Sequence, residues 1–550
     1  MDILETTLKE LIRTGAKTPE DLARTKRNAS RRFKTSFPDN ISLLKTYHEL
    51  LKKKKVEKHP LFEFLLQTRP VRSLSGIVNI SVLTKPYPCP GKCLYCPQEL
   101  GIPKSYVSGE PAVERAKKLG FDPYLQVKLR VEMLKAEGHP TDKIELRIMG
   151  GTWSYYQKPY RNWFVKRCFD ACNGKTAKGL KQAQRINENA KNRIIGLSVE
   201  TRPDFINSSE IRHLRELGTT MVELGVQSTY DDVLRTNLRG HGTEEIVLAT
   251  KLLKDAGFKV LYQMMPNLPG SNPKKDEKMF EELFGNPDFQ PDLLKIYPCA
   301  VLKSAPLYKW WKSKKYKPYN FNQLVILIKK IKLKIPRFVR IQRISRDIPS
   351  QLILAGPAKV SNLRQVLGEK MKFDEISSHL SPRAASRHSA KEGWQGEEDK
   401  SSSSSFAGAW QCKCIRCREV KEKYSRKEKP CLSREDYAAS QGKEIFLSFE
   451  NKTRTKLYSL LRLRITSENK ALIREIHTYG RQLPIAESAD FYFSPQHKGL
   501  GKKLIGQAEE IAKKEFKLNK IAVISGVGAR EYYRKLGYKL QKTYMIKNLR

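Results

Sequence analysis

The segment "KPYPCPGKCLYCPQEL" (residues 85–100) decides how this 550-residue sequence is interpreted. It places Cys89, Cys93 and Cys96 in a Cys-x3-Cys-x2-Cys spacing. A closed structural zinc site takes four ligands, and no fourth Cys or His follows Cys96 at the spacing of a zinc finger. The three thiolates therefore favour a metal group that keeps one coordination position open, although a zinc site remains the alternative.

A [4Fe–4S] cluster held by three thiolates leaves one iron without a protein ligand. S-adenosylmethionine can bind that iron, and one electron then cleaves the sulfonium and releases a 5′-deoxyadenosyl radical. The cysteine spacing, with Tyr95 before the last thiol, is typical of radical S-adenosylmethionine enzymes. In "MGGTW" (149–153), Gly150 and Gly151 end a predicted strand where the backbone can approach the methionine amino group without a side-chain collision. A turn at the strand end that binds no ligand is the alternative.

Predicted strands alternate with amphipathic helices from about residue 75. This pattern argues for a parallel α/β barrel or a doubly wound sheet. Polar, glycine or proline residues follow each strand, at the end that carries the site in barrels. The predicted strands lie in the segments 76–84, 143–153, 193–204, 221–228, 259–270 and 293–299, with helices such as 210–217 and 243–256 between them.

A second chemical unit begins near residue 442. In "SPQHKGLGKKLIGQ" (494–507), Gln496, Gly499 and Gly501 open an amphipathic helix whose N-terminal N–H groups can hold a pyrophosphate. This stretch resembles the coenzyme A loop of the Gcn5-related N-acetyltransferases (GNAT). Tyr532 and Tyr533 follow on a predicted short helix. We expect one of them to contact the thioester or protonate a leaving thiolate, and the other to pack in the core.

A third cysteine group, "CKCIRC", contains Cys412, Cys414 and Cys417, with Cys431 nearby. Three thiolates at this spacing can bind one tetrahedral zinc ion together with a ligand from elsewhere. We predict a structural zinc site that joins the two halves of the chain. Unligated cysteines are the alternative.

The composition points to a nucleic-acid partner. The 104 Lys and Arg against 58 Asp and Glu leave a net charge of +46, and neutralising the phosphates of a polyanion releases bound counterions. Residues 1–60 carry 15 basic and 8 acidic residues and read as a helical phosphate-binding arm. Residues 303–346 contain 14 basic residues interspersed with aromatic ones. This composition suits a nucleic acid whose splayed bases stack on the aromatic rings. Alternatively, the aromatic rings pack in the core beneath a basic surface.

The sequence predicts a cytoplasmic protein that does not enter a membrane. Its beginning is acidic and lacks the apolar core of a signal peptide, and its apolar runs are too short to span a bilayer. Ten cysteines clustered in short spacings indicate metal ligation in a reducing compartment. The Ser-rich segment 376–409 predicts a disordered insertion.

The pairing of these units resembles the Elongator catalytic-subunit family, the tRNA wobble-uridine carboxymethyluridine synthases. The resemblance runs nearly end to end through "PCPGKCLYCP", "MGGTW", "ETRPD", "ELGVQS", "RGH", "MMPNLPG", "KIYP", "RIQRISRDIP", "CKCIRCREV", "REIHTYG", "QHKGLGKKL" and "VISGVGAREYYRKLGY". Two departures are a longer Ser-rich segment and "CPQELGIPKSY" in place of the usual "CPGG".

The resemblance implies the fold and the domain organisation. The fold class is α/β, with a radical S-adenosylmethionine partial (β/α) barrel followed by a GNAT-type domain. The expected organisation is a basic helical tRNA-binding region (1–70), the radical domain (71–375), the Ser-rich insertion (376–409), a zinc-binding linker (410–440) and the acetyltransferase domain (441–550).

The resemblance also implies the reaction: acetyl-CoA and the radical together form 5-carboxymethyluridine at position 34 of tRNA. Lys143 and Tyr533 are the expected catalytic residues. A homodimer is compatible with these features, and the sequence assigns no accessory subunit. The expected coenzyme A contacts are Lys143, Glu475, Ile476, His477, Thr478, Gln496, Gly499, Leu500, Gly501, Lys502 and Tyr533, with Gly150 and Gly151 at S-adenosylmethionine.

Two other functions remain open at this point. A protein or histone lysine acetyltransferase would use the cluster only as structure, and would form acetyl-lysine without S-adenosylmethionine. A tRNA-binding scaffold without enzymatic activity would bind tRNA unchanged after loss of Cys89, Cys93 and Cys96. The basic arm favours an RNA substrate over a protein substrate.

Overall fold

The protein is described here from a computed structural model. The described residues are 2–57, 60–360, 363, 365–369, 412–425, 427–485 and 494–549. The predicted Ser-rich insertion at 376–409 lies outside them. Within the described ranges, no helix is both long enough and apolar enough to cross a membrane.

Four helices form the N-terminal region, as the sequence predicts. They are Ile3–Arg13 (α1), Pro19–Phe33 (α2), Asn40–Lys52 (α3) and Pro60–Leu66 (α4). A capping box between Thr18 and Asp21 fixes the start of α2. The leucines of this region share a small core of their own. The four arginines of α2 are exposed, whereas Lys26 is buried and donates to Asn40 Oδ1 at 2.9 Å.

Seven parallel strands form the first sheet, in the order β1-β2-β3-β4-β5-β6-β8. Because the spatial order follows the sequence, the sheet is a half-barrel rather than a doubly wound sheet. The strands are Val78–Leu83 (β1), Lys143–Met149 (β2), Arg193–Thr201 (β3), Met221–Gln227 (β4), Lys259–Met264 (β5), Leu293–Ile296 (β6) and Arg340–Ile344 (β8). Val301–Leu302 (β7) and Ile353–Ala355 (β9) form a separate antiparallel pair.

Ten helices connect these strands. The half-barrel's apolar core includes residues from both its strands and its helices. The helices are Pro111–Lys118 (α5), Pro123–Ala136 (α6), Lys158–Asn173 (α7), Leu180–Asn187 (α8), Ser208–Glu216 (α9), Asp231–Thr236 (α10), Thr243–Asp255 (α11), Pro273–Gly285 (α12), Leu307–Lys312 (α13) and Phe321–Lys334 (α14).

The aromatic residues of the basic stretch 303–346 are partly core residues. Tyr316, Tyr319 and Phe338 are at most 9% exposed. Tyr319 donates a hydrogen bond to Asp276 at 2.8 Å, and Tyr316 donates one to the Asn267 carbonyl at 2.6 Å. For these three rings, the structure favours core packing over base stacking.

In the part of the chain that the structure describes, the second sheet has seven strands, in the order β10-β11-β12-β13-β14-β16-β15. Its helices are Leu500–Lys514 (α16) and Arg530–Arg534 (α17), and a short helix, Ile415–Arg418 (α15), precedes the sheet. The strands are Cys431–Ala439 (β10), Gly442–Glu450 (β11), Leu457–Ile465 (β12), Ala471–Thr478 (β13), Lys520–Val523 (β14), Lys539–Gln541 (β15) and Tyr544–Asn548 (β16).

The expected domain boundary at residue 441 divides this sheet and needs correction. β10 lies inside the segment 410–440, which the sequence assigned to a zinc-binding linker, yet it pairs antiparallel with β11 along nine residues. The second sheet therefore begins at Cys431. β10 is an edge strand whose side chains are mostly exposed, so it lacks the apolar face that marks a strand in sequence.

The second sheet packs against the N-terminal ends of the half-barrel strands. A Cβ on Gly526 would overlap the Ile195 carbonyl near the start of β3, so the two backbones touch there. Ion pairs cross the same boundary: the buried Arg474 of β13 binds Asp292 at 2.6 Å, and the half-buried Lys259 of β5 binds Glu475 at 3.3 Å. One apolar core runs through both halves.

Candidate functional site

The three N-terminal thiols lie in the loop after β1. A Cβ on Gly91 would lie 3.7 Å from Cys89 Sγ and 3.5 Å from Cys93 Sγ. Ligands of one zinc ion would bring their sulfurs to about 3.8 Å from one another, because each Zn–S bond is about 2.3 Å. The three sulfurs do not all lie within 4.8 Å of one another. This wider spacing fits thiolates that bind separate irons of a cluster.

Two arginines place positive charge beside these thiols. Arg239 Nη1 donates to Cys93 Sγ at 3.5 Å. Arg202 Nη1 is buried without a hydrogen-bond partner among the described residues, and would lie 2.6 Å from a Cβ on Gly91. Burial, assisted by the neighbouring Cys93 and Cys89, raises the pKa of Cys96 to about 12. A bound metal would therefore displace a thiol proton, and the arginines would stabilise the resulting negative charge.

The glycine pair after β2 has a local structural reason. Gly150 and Gly151 have φ angles of +137° and +93°, and a Cβ on Gly150 would overlap the Thr84 hydroxyl after β1. Glycine is therefore required at residue 150 for packing against Thr84. The expected collision with a bound ligand is not needed to explain it.

A cavity of about 280 Å³ adjoins Cys96 at the C-terminal ends of the strands. Its walls are polar and include Glu200, Gln227, Gln263 and Lys295. Gln227 has a φ of +72°, and its Oε1 is buried without a partner in the described part of the chain. A buried amide oxygen without a partner fits a site that a polar ligand completes. These residues are suited to hold S-adenosylmethionine beside the cluster.

The second sheet opens a cleft between β13 and β14. The two strands pair only from Ala471 to Ile473, and a bulge displaces β13 at Arg474. Among the described residues, no strand pairs with the β14 side of residues 474–478. The backbone groups on this side, apart from the Thr478 carbonyl, which accepts from Gln496 Nε2, can therefore bind the amides of an extended cofactor arm.

The N-terminus of α16 faces this cleft. Gly499 has a φ of +76°, and no side chain among the described residues caps the helix. The first-turn N–H groups of Leu500, Gly501 and Lys502 can therefore bind a pyrophosphate. A Cβ on Gly501 would lie 3.4 Å from Ile476 Cδ1 of β13. The expected loop residues thus lie together at one end of the cleft.

The Gln496 side chain links the two halves. Its Oε1 accepts hydrogen bonds from Lys143 Nζ at 2.8 Å and from the Leu483 N–H at 3.1 Å. Its Nε2 donates to the Gly76 and Thr478 carbonyls, each at 3.0 Å. All four bonding positions of the amide are therefore used. The structure brings Lys143, the first residue of β2, to the acetyltransferase half, as the resemblance implies.

The alternating side chains of β13 divide between the two halves. Glu475 accepts from Arg462 Nε at 2.8 Å and from Lys259, and His477 Nε2 lies 2.7 Å from the Ser75 carbonyl. Burial opposes ionisation of Glu475, but the charges of Lys259 and Arg462 lower its pKa to about 2. The Glu475 and His477 side chains thus face the half-barrel, which leaves their backbones and Ile476 for the cofactor.

The two tyrosines of α17 occupy different environments. Tyr533 is 4% exposed and packs edge-on against Tyr538 at 5.8 Å, whereas Tyr532 is 41% exposed. The Tyr532 hydroxyl lies 3.1 Å from the Cβ position of Gly501, at the cleft. Burial raises the pKa of both phenols. The sequence selected Tyr533 as the catalytic tyrosine, while the structure brings the Tyr532 hydroxyl to the cofactor loop.

Cys412, Cys414 and Cys417 converge as zinc ligands would. Their sulfurs all lie within 4.8 Å of one another, and no other group of three candidate ligands in the described ranges does so. Hydrogen bonds from Cys412 and Cys417 lower the pKa of Cys414 well below its ordinary value. Cys431 is exposed on β10 and does not join the group. The three thiols fit a tetrahedral zinc ion that takes one further ligand.

Comparison with known proteins agrees with the division of the chain into a radical half and an acetyltransferase half. Family models match the radical SAM superfamily at residues 87–283, the Radical_SAM C-terminal domain at 291–372 and the acetyltransferase (GNAT) family at 435–538. The tRNA uridine(34) acetyltransferase of Methanocaldococcus jannaschii is 42% identical over 91% of this chain and 90% of its own length. Elongator complex protein 3 of Homo sapiens is 37% identical over 88% of this chain and 86% of its own length.

The chain belongs to the Elongator complex protein 3 family. The solved structure of the Methanocaldococcus infernus Elp3 with an N-terminal deletion is 40% identical, covers 87% of this chain and 100% of its own, and superposes with a TM-score of 0.71. As a member of this family, the chain is a radical S-adenosylmethionine enzyme and an acyltransferase. Its cofactors are a [4Fe–4S] cluster, S-adenosylmethionine and acetyl-CoA.

Several polar residues of this family member's radical site have no role that the sequence alone predicts. Arg202, Glu200, Gln227, Arg239 and Lys295 lie in "ETRPD", "ELGVQS", "RGH" and "KIYP", which carried the resemblance without individual functions. The available signal was their position at or just beyond the C-terminal ends of predicted strands, where a barrel places its site.

Proposed function

We propose that this enzyme converts the wobble uridine of tRNA, position 34, to 5-carboxymethyluridine with acetyl-CoA as the acyl donor. One observation carries the proposal: the acetyl-CoA cleft is closed by the N-terminal end of the half-barrel whose other end holds the radical cavity. The His477–Ser75 and Gln496–Gly76 hydrogen bonds cross that boundary. Relatives of 42% and 43% identity carry the name tRNA uridine(34) acetyltransferase.

The chemistry explains why two sites are needed in one chain. Neither the acetyl methyl group nor carbon 5 of uracil reacts readily by acid–base catalysis. The cluster with S-adenosylmethionine supplies a 5′-deoxyadenosyl radical. Around it, Arg202 and Arg239 compensate thiolate charge, and Gln227 offers an unpaired amide oxygen to a polar ligand. At the cleft, the ammonium group of Lys143 lies next to Gln496 and supplies a positive charge. The N–H groups at the start of α16 hold the pyrophosphate.

The N-terminal helices are the proposed tRNA-binding surface. Arg27, Arg31 and Arg32 are exposed on α2, and the net charge of +46 favours a polyanion. We place the enzyme in the cytoplasm, where it meets this substrate. A homodimer and accessory subunits are compatible with the proposal and do not enter it. The zinc ion held by Cys412, Cys414 and Cys417 would have a structural role.

The decisive comparison is with a lysine acetyltransferase. Enzyme reconstituted with iron and sulfide under anaerobic conditions is incubated with tRNA, a histone peptide, acetyl-CoA and reductant, with or without S-adenosylmethionine. We expect carboxymethyluridine only in the presence of S-adenosylmethionine, and none in Cys96→Ser. Acetyl-lysine that forms equally well without S-adenosylmethionine and in Cys96→Ser would support the lysine acetyltransferase instead.

A further inference from the structure

The acetyl-CoA cleft and the radical cavity lie at opposite ends of one sheet. Lys143, which contacts the cleft through Gln496, is the first residue of β2, and Met149, which lines the radical cavity, is the last. Seven residues at about 3.3 Å each make this strand about 20 Å long. The proposed function requires the acetyl methyl group to touch the radical carbon. One end of bound acetyl-CoA must therefore travel along the sheet.

The inward face of β1 and β2 is more accessible than their outward face. Asn79, Ser81, Glu145 and Arg147 are half-buried, whereas the outward residues Ile80, Val82, Ile144, Leu146 and Ile148 are at most 1% exposed. A packed barrel shows the reverse, because bulky branched side chains fill its interior. The interior of this half-barrel therefore contains space.

Small and polar side chains line that space in two adjacent rows. Ser81 is in register with Arg147, which is in register with Ser198 of β3. One step nearer the acetyltransferase half, Asn79 pairs with Glu145, which pairs with Gly196. A Cβ on Gly196 would make only ordinary contacts, 3.6 Å from the nearest atoms, so the missing side chain leaves room.

Unpaired polar atoms are concentrated in these rows. Asn79 Oδ1, Arg147 Nε and Ser198 Oγ are buried and have no hydrogen-bond partner among the described residues. Ser198 is only 1% exposed. Buried polar atoms are normally paired, so three orphans in one place indicate a ligand or water that pairs with them. Together they offer acceptors and donors to a chain that carries amides.

Charged groups continue the rows in both directions. Toward the cleft, Arg147 pairs with Glu145 at 3.6 Å, and Lys259 pairs with Glu475 of β13 at 3.3 Å. Toward the radical cavity, Lys295 pairs with Glu200 at 3.4 Å. Burial disfavours ionisation of Glu145, but the charges of Arg147, Lys259 and Arg340 outweigh it and lower its pKa. The interior is thus polar from one site to the other.

We propose that this interior is a passage, lined by Asn79, Ser81, Glu145, Arg147, Gly196 and Ser198, through which the pantetheine arm carries the acetyl group from the cleft to the radical cavity. The ligand is an amide-bearing chain that ends in a thioester, and the unpaired atoms of the wall match its amides. This inference rests on the proposed function. It adds the route by which the two sites communicate.

The test is a bulky substitution that blocks the passage but leaves the acetyl-CoA cleft and the radical cavity intact. Asn79→Phe places a ring in the open space at β1, and Leu129→Phe places the same ring on an exposed position of α6, which packs on β1. Each variant is incubated with tRNA, S-adenosylmethionine, reductant and acetyl-CoA deuterated at the methyl group. Deuterium in 5′-deoxyadenosine then reports contact between methyl group and radical.

We expect wild type and Leu129→Phe to transfer deuterium, and Asn79→Phe to lose about 100-fold in transfer, because a displacement near 1 Å already costs about that much. Cleavage of S-adenosylmethionine without acetyl-CoA, coenzyme A binding and tRNA binding should persist in Asn79→Phe. Asn79→Ala removes the amide without adding bulk, so it should lose far less transfer than Asn79→Phe, and this difference separates obstruction from the loss of one hydrogen bond. Gly196→Val provides a second obstruction if Asn79→Phe does not fold, as judged by its unfolding midpoint.

The outcomes separate the passage from the proposed function. Equal deuterium transfer in wild type and in a folded obstructed variant would overturn the passage while leaving the function in place. Absence of deuterium in wild type, with S-adenosylmethionine still cleaved, would contradict the proposed function itself. Loss of S-adenosylmethionine cleavage in both obstructed variants would also overturn the passage, because the rows would then belong to the radical site alone.

Discussion

At the scale of single residues, Lys143 is a group whose charge changes within an experimentally accessible pH range. Burial lowers its pKa to about 8, although neighbouring Asp142 partly opposes this. Below that pH the ammonium is charged and can attract an anionic or polarised group of acetyl-CoA. Above it the amine is neutral, so the affinity falls as the pH rises.

We therefore predict that the KM for acetyl-CoA rises by about tenfold as the pH passes through 8, equivalent to about 1.4 kcal/mol. Lys143→Arg keeps its charge and should show a flat profile over that range. Lys143→Met should show a high KM at every pH. A wild-type profile retained in Lys143→Met would show that another group titrates.

A second prediction at the scale of single residues concerns Gly150. Alanine there would meet the Thr84 hydroxyl at a φ that side chains rarely adopt. We expect Gly150→Ala to lose about 1–3 kcal/mol in the free energy of unfolding, and to slow S-adenosylmethionine cleavage. Gly285 is the last residue of α12, and a Cβ there would lie in open space. Gly285→Ala should therefore leave the free energy of unfolding unchanged or raise it. Equal unfolding midpoints for the two variants would refute the steric explanation.

At the scale of elements, the clearest prediction concerns the three thiols just before and on α15, namely Cys412, Cys414 and Cys417. Cys414→Ser should release zinc, measured by elemental analysis, while leaving the iron content of the reconstituted protein unchanged. Cys431→Ser should retain zinc, because Cys431 lies on exposed β10 outside the converging thiols. Loss of iron from Cys414→Ser would contradict this assignment, because it would show that Cys414 and its neighbouring thiols bind iron rather than zinc.

The elements also show what the sequence could predict. Strands β1 to β6 were predicted because each is an apolar run followed by Gly, Pro or polar residues. β10, "CLSREDYAA", was not, because it is an edge strand with alternating exposure. Likewise, the loop glycines before α16 revealed a helix N-terminus, but nothing local indicates that the Gln496 side chain binds Lys143 and Gly76, 353 and 420 residues away.

At the scale of the whole molecule, buried ions hold the two halves together. Asp292 precedes β6, is fully buried and pairs with Arg474 at 2.6 Å, while Arg474 also binds Glu444 at 2.9 Å. Burial raises the pKa of Asp292, but the charges of Arg474, Lys254 and Arg462 dominate and hold it far below its ordinary value. Because the folded pKa is depressed, this stabilisation is present at neutral pH and is lost only in acid.

We predict that Asp292→Ala lowers the free energy of unfolding by about 3–5 kcal/mol, because it leaves Arg474 buried with less compensation. Glu510→Ala breaks the exposed pair with Lys514 and an exposed hydrogen bond from Gln507, and should cost at most about 1 kcal/mol. Denaturant unfolding of both variants gives the comparison. Similar losses in the two would show that the buried pairs do not hold the halves together.

At this same scale, one chain is proposed to join an acetyl group to the wobble uridine by a radical route. The direct measurement is mass spectrometry of tRNA nucleosides after anaerobic reaction with acetyl-CoA labelled with ¹³C at both acetyl carbons. We expect carboxymethyluridine at position 34 that carries both labelled carbons and forms only in the presence of S-adenosylmethionine. Position 34 left as unmodified uridine, in a preparation that contains the cluster and cleaves S-adenosylmethionine, would contradict it.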